Sequence, residues 1–129
     1  MAGKNILIID DDIDLLRSLQ IILEDREFVV HTASNKKEGL ESLASFKPDL
    51  LIQDLMMDTN LEGFSIINEL KNNNKYSNLP IIMLTGIAEK MRVNFRSAIE
   101  DPDMYPNVVF LEKPIDPDEL ISEINTLLS

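Results

Sequence analysis

In a sequence of 129 residues, several apolar runs end on side chains that could do chemistry together. Residues 6–9 run into Asp10, Asp11 and Asp12, and residues 50–52 lead to Asp54. Residues 81–84 end at Thr85 and Gly86, and residues 108–111 run on to Lys113 and Pro114. Gathered on one rim, these would place carboxylates, a hydroxyl and an ammonium in a small volume. Carboxylates packed a few ångströms apart repel strongly at an intermediate dielectric, so the cluster requires a cation among them. An all-oxygen site that keeps some water suits Mg²⁺ or Mn²⁺. One carboxylate can then attack phosphorus while the metal and the ammonium neutralise the moving phosphoryl oxygens and the hydroxyl bonds one of them. The product is an acyl phosphate on Asp.

Each residue also has a plain structural reading. A triple Asp after a strand serves as a turn and helix cap. Asp54 alone is a loop acid, Thr85 alone fills a turn, and Lys113 alone is a surface lysine. What argues for a site is that these decorations fall at the ends of different strands in one order.

The positioning elements follow from the apolar pattern. Strands are predicted at 6–9, 28–30, 50–52, 81–84 and 108–111. Several lack alternation, as parallel strands covered on both faces do. Between the first two, Leu15, Leu16, Leu19, Ile22 and Leu23 share one helix face, with Asp11 or Asp12 as cap. Gly39, Leu40, Leu43 and Ala44 give a second helix, opened by Asn35 and Glu38 as a capping box. Phe64, Ile67 and Leu70 mark a third, and Ala88, Met91, Phe95, Ala98 and Ile99 a fourth. The last helix has Asp116 at its cap, Pro117 in its first turn, Glu119 completing a box, and a stripe of Leu120, Ile121, Ile124, Leu127 and Leu128. The polar stretch 71–78 reads as a loop. Strands alternating with helices through right-handed crossovers make an α/β, doubly wound parallel sheet, and such sheets bind ligands beyond the carboxyl ends of their strands.

Composition narrows the function. With 44% hydrophobic residues the chain suits one domain over 1–129. Lys plus Arg number 12 against 23 Asp plus Glu, and a formal charge of −11 argues against DNA as a ligand. The absence of cysteine excludes disulfides, thiolate metal sites and a Cys nucleophile. The opening apolar run is too short for a signal peptide or membrane span, so the expected compartment is cytoplasmic with no membrane partner.

ILIIDDD, DLLIQDLMMD, IIMLTG and VVFLEKP, in that order, resemble the receiver domain of two-component response regulators. The likeness covers essentially the whole chain and is similar to the stand-alone chemotaxis regulators, which carry no output domain. It implies a flavodoxin-like (βα)5 fold with strand order 2-1-3-4-5. It further implies that Asp54 is the phosphoacceptor, served by a histidine kinase or histidine phosphotransfer protein. Asp10 and Asp11 match the acidic pair that holds Mg²⁺ or Mn²⁺, joined by Asp54 and the backbone carbonyl of Met56. Lys113 matches the lysine that pairs with the acceptor, and its bond to Pro114 is expected to be cis. Thr85 and Phe110 match the hydroxyl and the aromatic that move together in the switch, although Phe110 also suits core packing. The implied protein is a signalling switch that modifies only itself. Its fourth helix, fifth strand and fifth helix would report to an unknown partner, and a homodimer of the phosphorylated form is left open.

The sequence departs from the family in places. Asp58 follows Met57 where a proline is usual, and 59–62 is one residue longer before Gly63. Gly86 follows Thr85, and the interval from Thr85 to Lys113 is long, with Asp101, Pro102, Asp103 and Pro106 in it. Met56 and Ile87, two residues beyond Asp54 and Thr85, cannot orient water by a strong hydrogen bond, which predicts a long-lived phosphoryl state. Competing readings are a phosphorylation-independent receiver-like scaffold and an aspartate-nucleophile phosphatase, whose Asp-x-Asp is met formally by Asp10 and Asp12. The phosphatase would need a Thr where Asp14 stands. A flavin or nucleotide binder is disfavoured by four glycines and no Trp.

Overall fold

The computed structural model describes residues 3–54, 69–70, 72–73, 75–85 and 107–129. Within them the chain forms β1 (Asn5–Ile9), α1 (Ile13–Asp25), β2 (Val29–Ala33), α2 (Lys36–Phe46), β3 (Leu50–Asp54), β4 (Ile81–Thr85), β5 (Val108–Glu112) and α3 (Pro117–Leu128). The strands pair in parallel in the order β2-β1-β3-β4-β5, the expected doubly wound topology. The helix expected at 88–99, and all but Leu70 of the third helix's named face, lie outside the described residues.

Successive side chains of a strand point to opposite faces, and here both faces are covered. Ile6, Ile8, Leu50, Ile52, Ile82, Leu84 and Leu111 pack against Leu16, Leu19 and Leu23 of α1 and Leu120, Ile121 and Ile124 of α3. On the other face Leu7, Ile9, Leu51, Ile81, Met83 and Phe110 join Leu43 of α2 and Leu70. That double covering is why the central strands read as unbroken apolar runs. Gly39 lets α2 approach β1 closely, because a Cβ there would come within 2.5 Å of Ile9 Cδ1.

The second strand differs from its predicted span of 28–30. It begins one residue later and runs on through His31 and Thr32 to Ala33. It is an edge strand, so Val29 and His31 are exposed while Val30 on one face and Ala33 on the other are buried, and a broken pattern replaces the apolar run. Phe28 is buried ahead of the strand, with its N–H donating to the Leu23 carbonyl.

Caps fix where the helices start. Asp12, not Asp11, caps α1, its Oδ1 accepting from the Leu15 N–H at 3.1 Å. Asn35 caps α2 by accepting from the Glu38 N–H at 2.9 Å. The Glu38 carboxylate turns back one residue further than a capping box requires and accepts from the Ser34 N–H and Oγ. Asp116 caps α3 by accepting from the Asp118 N–H, with Pro117 in the first turn. Among the described residues no helix is long and apolar enough to cross a membrane.

Candidate functional site

Beyond their apolar runs, β3 takes in two polar residues, Gln53 and Asp54, and β4 one, Thr85. β3 closes on Asp54 and β4 on Thr85, and both side chains are buried. Asp54 pairs in register with Leu84, so Thr85 stands one residue further toward the same rim. β1 stops one residue short of Asp10, whose N–H donates to the Ala33 carbonyl at 3.1 Å. The Asp10 side chain is wholly buried, and its Oδ1 accepts from the Asp12 N–H at 2.9 Å. One turn of chain thus both caps α1 and holds the Asp10 carboxylate.

Asp10, Asp11 and Asp54 each present a carboxylate oxygen, and the three oxygens lie within 4.8 Å of one another. Lys113 comes from the segment after β5, 103 residues beyond Asp10, and Nζ donates to Asp10 Oδ2 at 3.2 Å. The same ammonium lies 3.4 Å from Asp54 Oδ1. The Lys113 N–H donates to the Thr85 carbonyl at 2.8 Å, which ties the lysine segment to the end of β4. The Lys113–Pro114 bond is cis, as expected. Partial burial pushes the Lys113 pKa down, but the charges of Asp54 and then Asp10, with hydrogen bonds to both, outweigh it. The result lies above the ordinary lysine value of 10.5.

Such an arrangement can hold a hard cation, because oxygen donors converge from two strand ends, and one ammonium neutralises only part of their charge. It can also present an aspartyl oxygen to phosphorus with positive charge beside it. Of the residues the sequence singled out, Asp10, Asp11, Asp54, Thr85 and Lys113 come to one rim. Phe110 is buried on the face shared with Met83, its register partner on β4. Met56, Asp58, Gly86 and Ile87 lie outside the described residues. The sequence reading passed over Gln53, a fully buried amide whose Nε2 donates to the Asp54 carbonyl at 2.8 Å. Its signal was there: a single amide in an apolar run, directly before Asp54.

Known proteins place this geometry in context. The chain is 37% identical over 123 residues to an uncharacterized 14.6 kDa protein in the sodA1 3′ region of Leptolyngbya boryana, covering 94% of this chain and 87% of that one. It is 30% identical over 128 residues to the response regulator Rre1 of Synechocystis, covering 97% of this chain and 52% of that protein. The chain therefore spans about half the length of several curated relatives, including the probable transcriptional regulator ycf29 of Pyropia yezoensis at 53%. Among solved structures, the signal receiver domain of a histidine kinase from Syntrophus aciditrophicus superposes with a TM-score of 0.83 at 28% identity, covering 98% of this chain and 90% of that one. The Vibrio cholerae chemotaxis protein CheY4 superposes at 0.82 over 98% of this chain and 100% of its own, and at 24% identity it bears on the fold alone. The family model for the response regulator receiver domain matches residues 6–125, which takes in the acids, the hydroxyl and the lysine assembled above, and the chain belongs to that family.

Proposed function

We propose that this domain is a phosphorylation-dependent switch, in which Asp54 accepts a phosphoryl group from a histidine kinase or a histidine phosphotransfer protein. The observation that carries this reading is the position of Lys113 Nζ, 3.2 Å from Asp10 Oδ2 and 3.4 Å from Asp54 Oδ1, beside the three-carboxylate group. The donor set fits Mg²⁺ or Mn²⁺. Asp10, Asp11 and Asp54 would hold the ion, with the Met56 carbonyl as the further ligand that membership of the family suggests. When bound, the ion supplies charge neutralisation to the phosphoryl oxygens.

The chain's own groups divide the remaining work. An Asp54 carboxylate oxygen forms the new bond to phosphorus as the bond from phosphorus to the donor nitrogen breaks and its electron pair returns to the donor imidazole. Lys113 balances the carboxylate charge before transfer and the phosphoryl charge after it. Thr85, at the neighbouring strand end, offers its hydroxyl to a phosphoryl oxygen. The added charge of about −1.5 to −2 favours the conformation that draws Thr85 and Lys113 inward, and Phe110 is the aromatic that would repack as they move. The face built from β5, α3 and residues 88–99 would present the change to a downstream protein. In this reading residues 1–129 act as one receiver unit in the cytoplasm, and the chemistry is confined to the domain's own aspartyl phosphate.

The test is incubation with Mg²⁺ and acetyl phosphate, followed by intact mass and site mapping. The expected result is one phosphoryl group at Asp54, absent in Asp54→Ala and in EDTA. No adduct on the unaltered protein would refute the switch and leave a phosphorylation-independent scaffold. Donor turnover without an adduct would point to an aspartate-nucleophile phosphatase.

A further inference from the structure

One row of residues crosses the sheet immediately beneath the site. Ala33, Ile9, Gln53, Met83 and Phe110 are successive register partners on β2, β1, β3, β4 and β5. Ala33, Ile9, Met83 and Phe110 belong to one apolar cluster, and Gln53 is the amide set among them, with no exposed surface. Burying an amide in such surroundings costs free energy that an aliphatic side chain of the same size avoids, unless its hydrogen bonds are made. Gln53 Nε2 makes one to the backbone carbonyl of Asp54, at 2.8 Å. That carbonyl belongs to the peptide by which the chain leaves β3. Holding it restrains rotation about the Cα–C bond of Asp54, and so the orientation of this carbonyl relative to the Asp54 carboxylate.

We infer that Gln53 is a positioning residue: its buried amide, fastened to the Asp54 carbonyl, holds the Asp54 carboxylate in the geometry that binds the divalent cation and receives phosphorus. The inference rests on the function proposed above. Groups that orient metal ligands from behind typically cost about 10–100-fold in affinity or activity when removed, and small misplacements of a reacting group are costly in rate. A residue kept only for packing would behave differently. Replacing it by an apolar isostere would leave stability equal or higher and leave the site unchanged.

Two variants separate these roles. Gln53→Met keeps the length and approximate volume and deletes the donor; Gln53→Glu keeps the shape and turns an acceptor toward the carbonyl. Each is compared with the unaltered domain by its thermal unfolding midpoint in EDTA and its Mg²⁺ dissociation constant from calorimetry. Its rate with acetyl phosphate at saturating Mg²⁺ is divided into the maximal rate and the half-saturating donor concentration. For Gln53→Met, whatever the midpoint does, Mg²⁺ binding should weaken about tenfold and the maximal rate should drop about tenfold, at the low end of the range for such groups. The half-saturating donor concentration should hold. Gln53→Glu should lose more on both site measurements. Unchanged Mg²⁺ affinity and maximal rate in Gln53→Met would overturn the inference alone, provided the unaltered protein is phosphorylated at Asp54. If the unaltered protein takes up no phosphoryl group, the functional reading falls and this inference with it.

Discussion

Removing the charge of Lys113 is the most direct probe of the site's electrostatics. In Lys113→Met the ammonium that lies 3.2 Å from Asp10 and 3.4 Å from Asp54 is gone, while both carboxylates stay buried. At an effective dielectric near 20, each contact is worth about 5 kcal/mol of gross Coulomb energy. Desolvation of the charges offsets most of that, and loss of one partner from a fully buried pair costs about 3–5 kcal/mol. The Lys113 side chain keeps 28% of its surface in water, so the expected loss is smaller, about 2–3 kcal/mol at pH 7 in EDTA. Mg²⁺ should narrow the gap between the two proteins, because the divalent charge acts on the same carboxylates. The sign with pH follows from the raised Lys113 pKa. Its contribution is fully present below the ordinary lysine value of 10.5 and is lost as pH rises through the higher folded value, so the two proteins converge in strong alkali. Urea unfolding in EDTA and in Mg²⁺, repeated from neutral to alkaline pH, measures all of this. Equal stability in EDTA, or a gap that Mg²⁺ leaves untouched, would refute the reasoning.

Thr85→Ala should still take up a phosphoryl group at Asp54 but lose the conformational response, read as collapse of the phosphorylation-induced amide shifts along β5 and α3; full shifts in the variant would remove Thr85 from the switch. Met56→Asn should hasten loss of label from the phosphoprotein, because its amide can orient water where the thioether cannot; equal rapid decay in both proteins would end the argument for a long-lived phosphoryl state. Glu38 has a lowered pKa because its carboxylate accepts from the Ser34 N–H and then the Ser34 hydroxyl. It therefore adds stability above the unfolded carboxyl pKa that is lost as pH falls through the folded one. Glu38→Gln should flatten the acid side of the stability profile, and an unaltered acid limb would show that the bond to Ser34 contributes nothing measurable.

The fold could be read from a few particular segments. ILII, LLI and IIML are apolar without alternation because helices cover both sheet faces, and that burial is written directly into composition. The edge strand escaped the same rule. Val29 and His31 are exposed, so no apolar run marks its length, and the apolar count alone placed it at 28–30. Caps were legible by type but not by partner: nothing in the order of residues told Asp12 from Asp11, or sent the Glu38 carboxylate to Ser34. Gln53 was visible as an odd amide, yet its meaning depends on which carbonyl it faces.

The sequence by itself determined the types of the described elements, the parallel character of the strands and the residue kinds available at their ends, because periodicity, caps and short-range sterics are properties of neighbouring residues. Only the tertiary structure decided that an ammonium 103 positions away lies 3.2 Å from the Asp10 carboxylate, and that three acidic oxygens fall within 4.8 Å. Those distances are set by strand register and by how two packed faces fix each strand end. Charge interactions fall off with distance and with the dielectric around them, so the same residues spread over a solvated chain would have almost none of this chemistry.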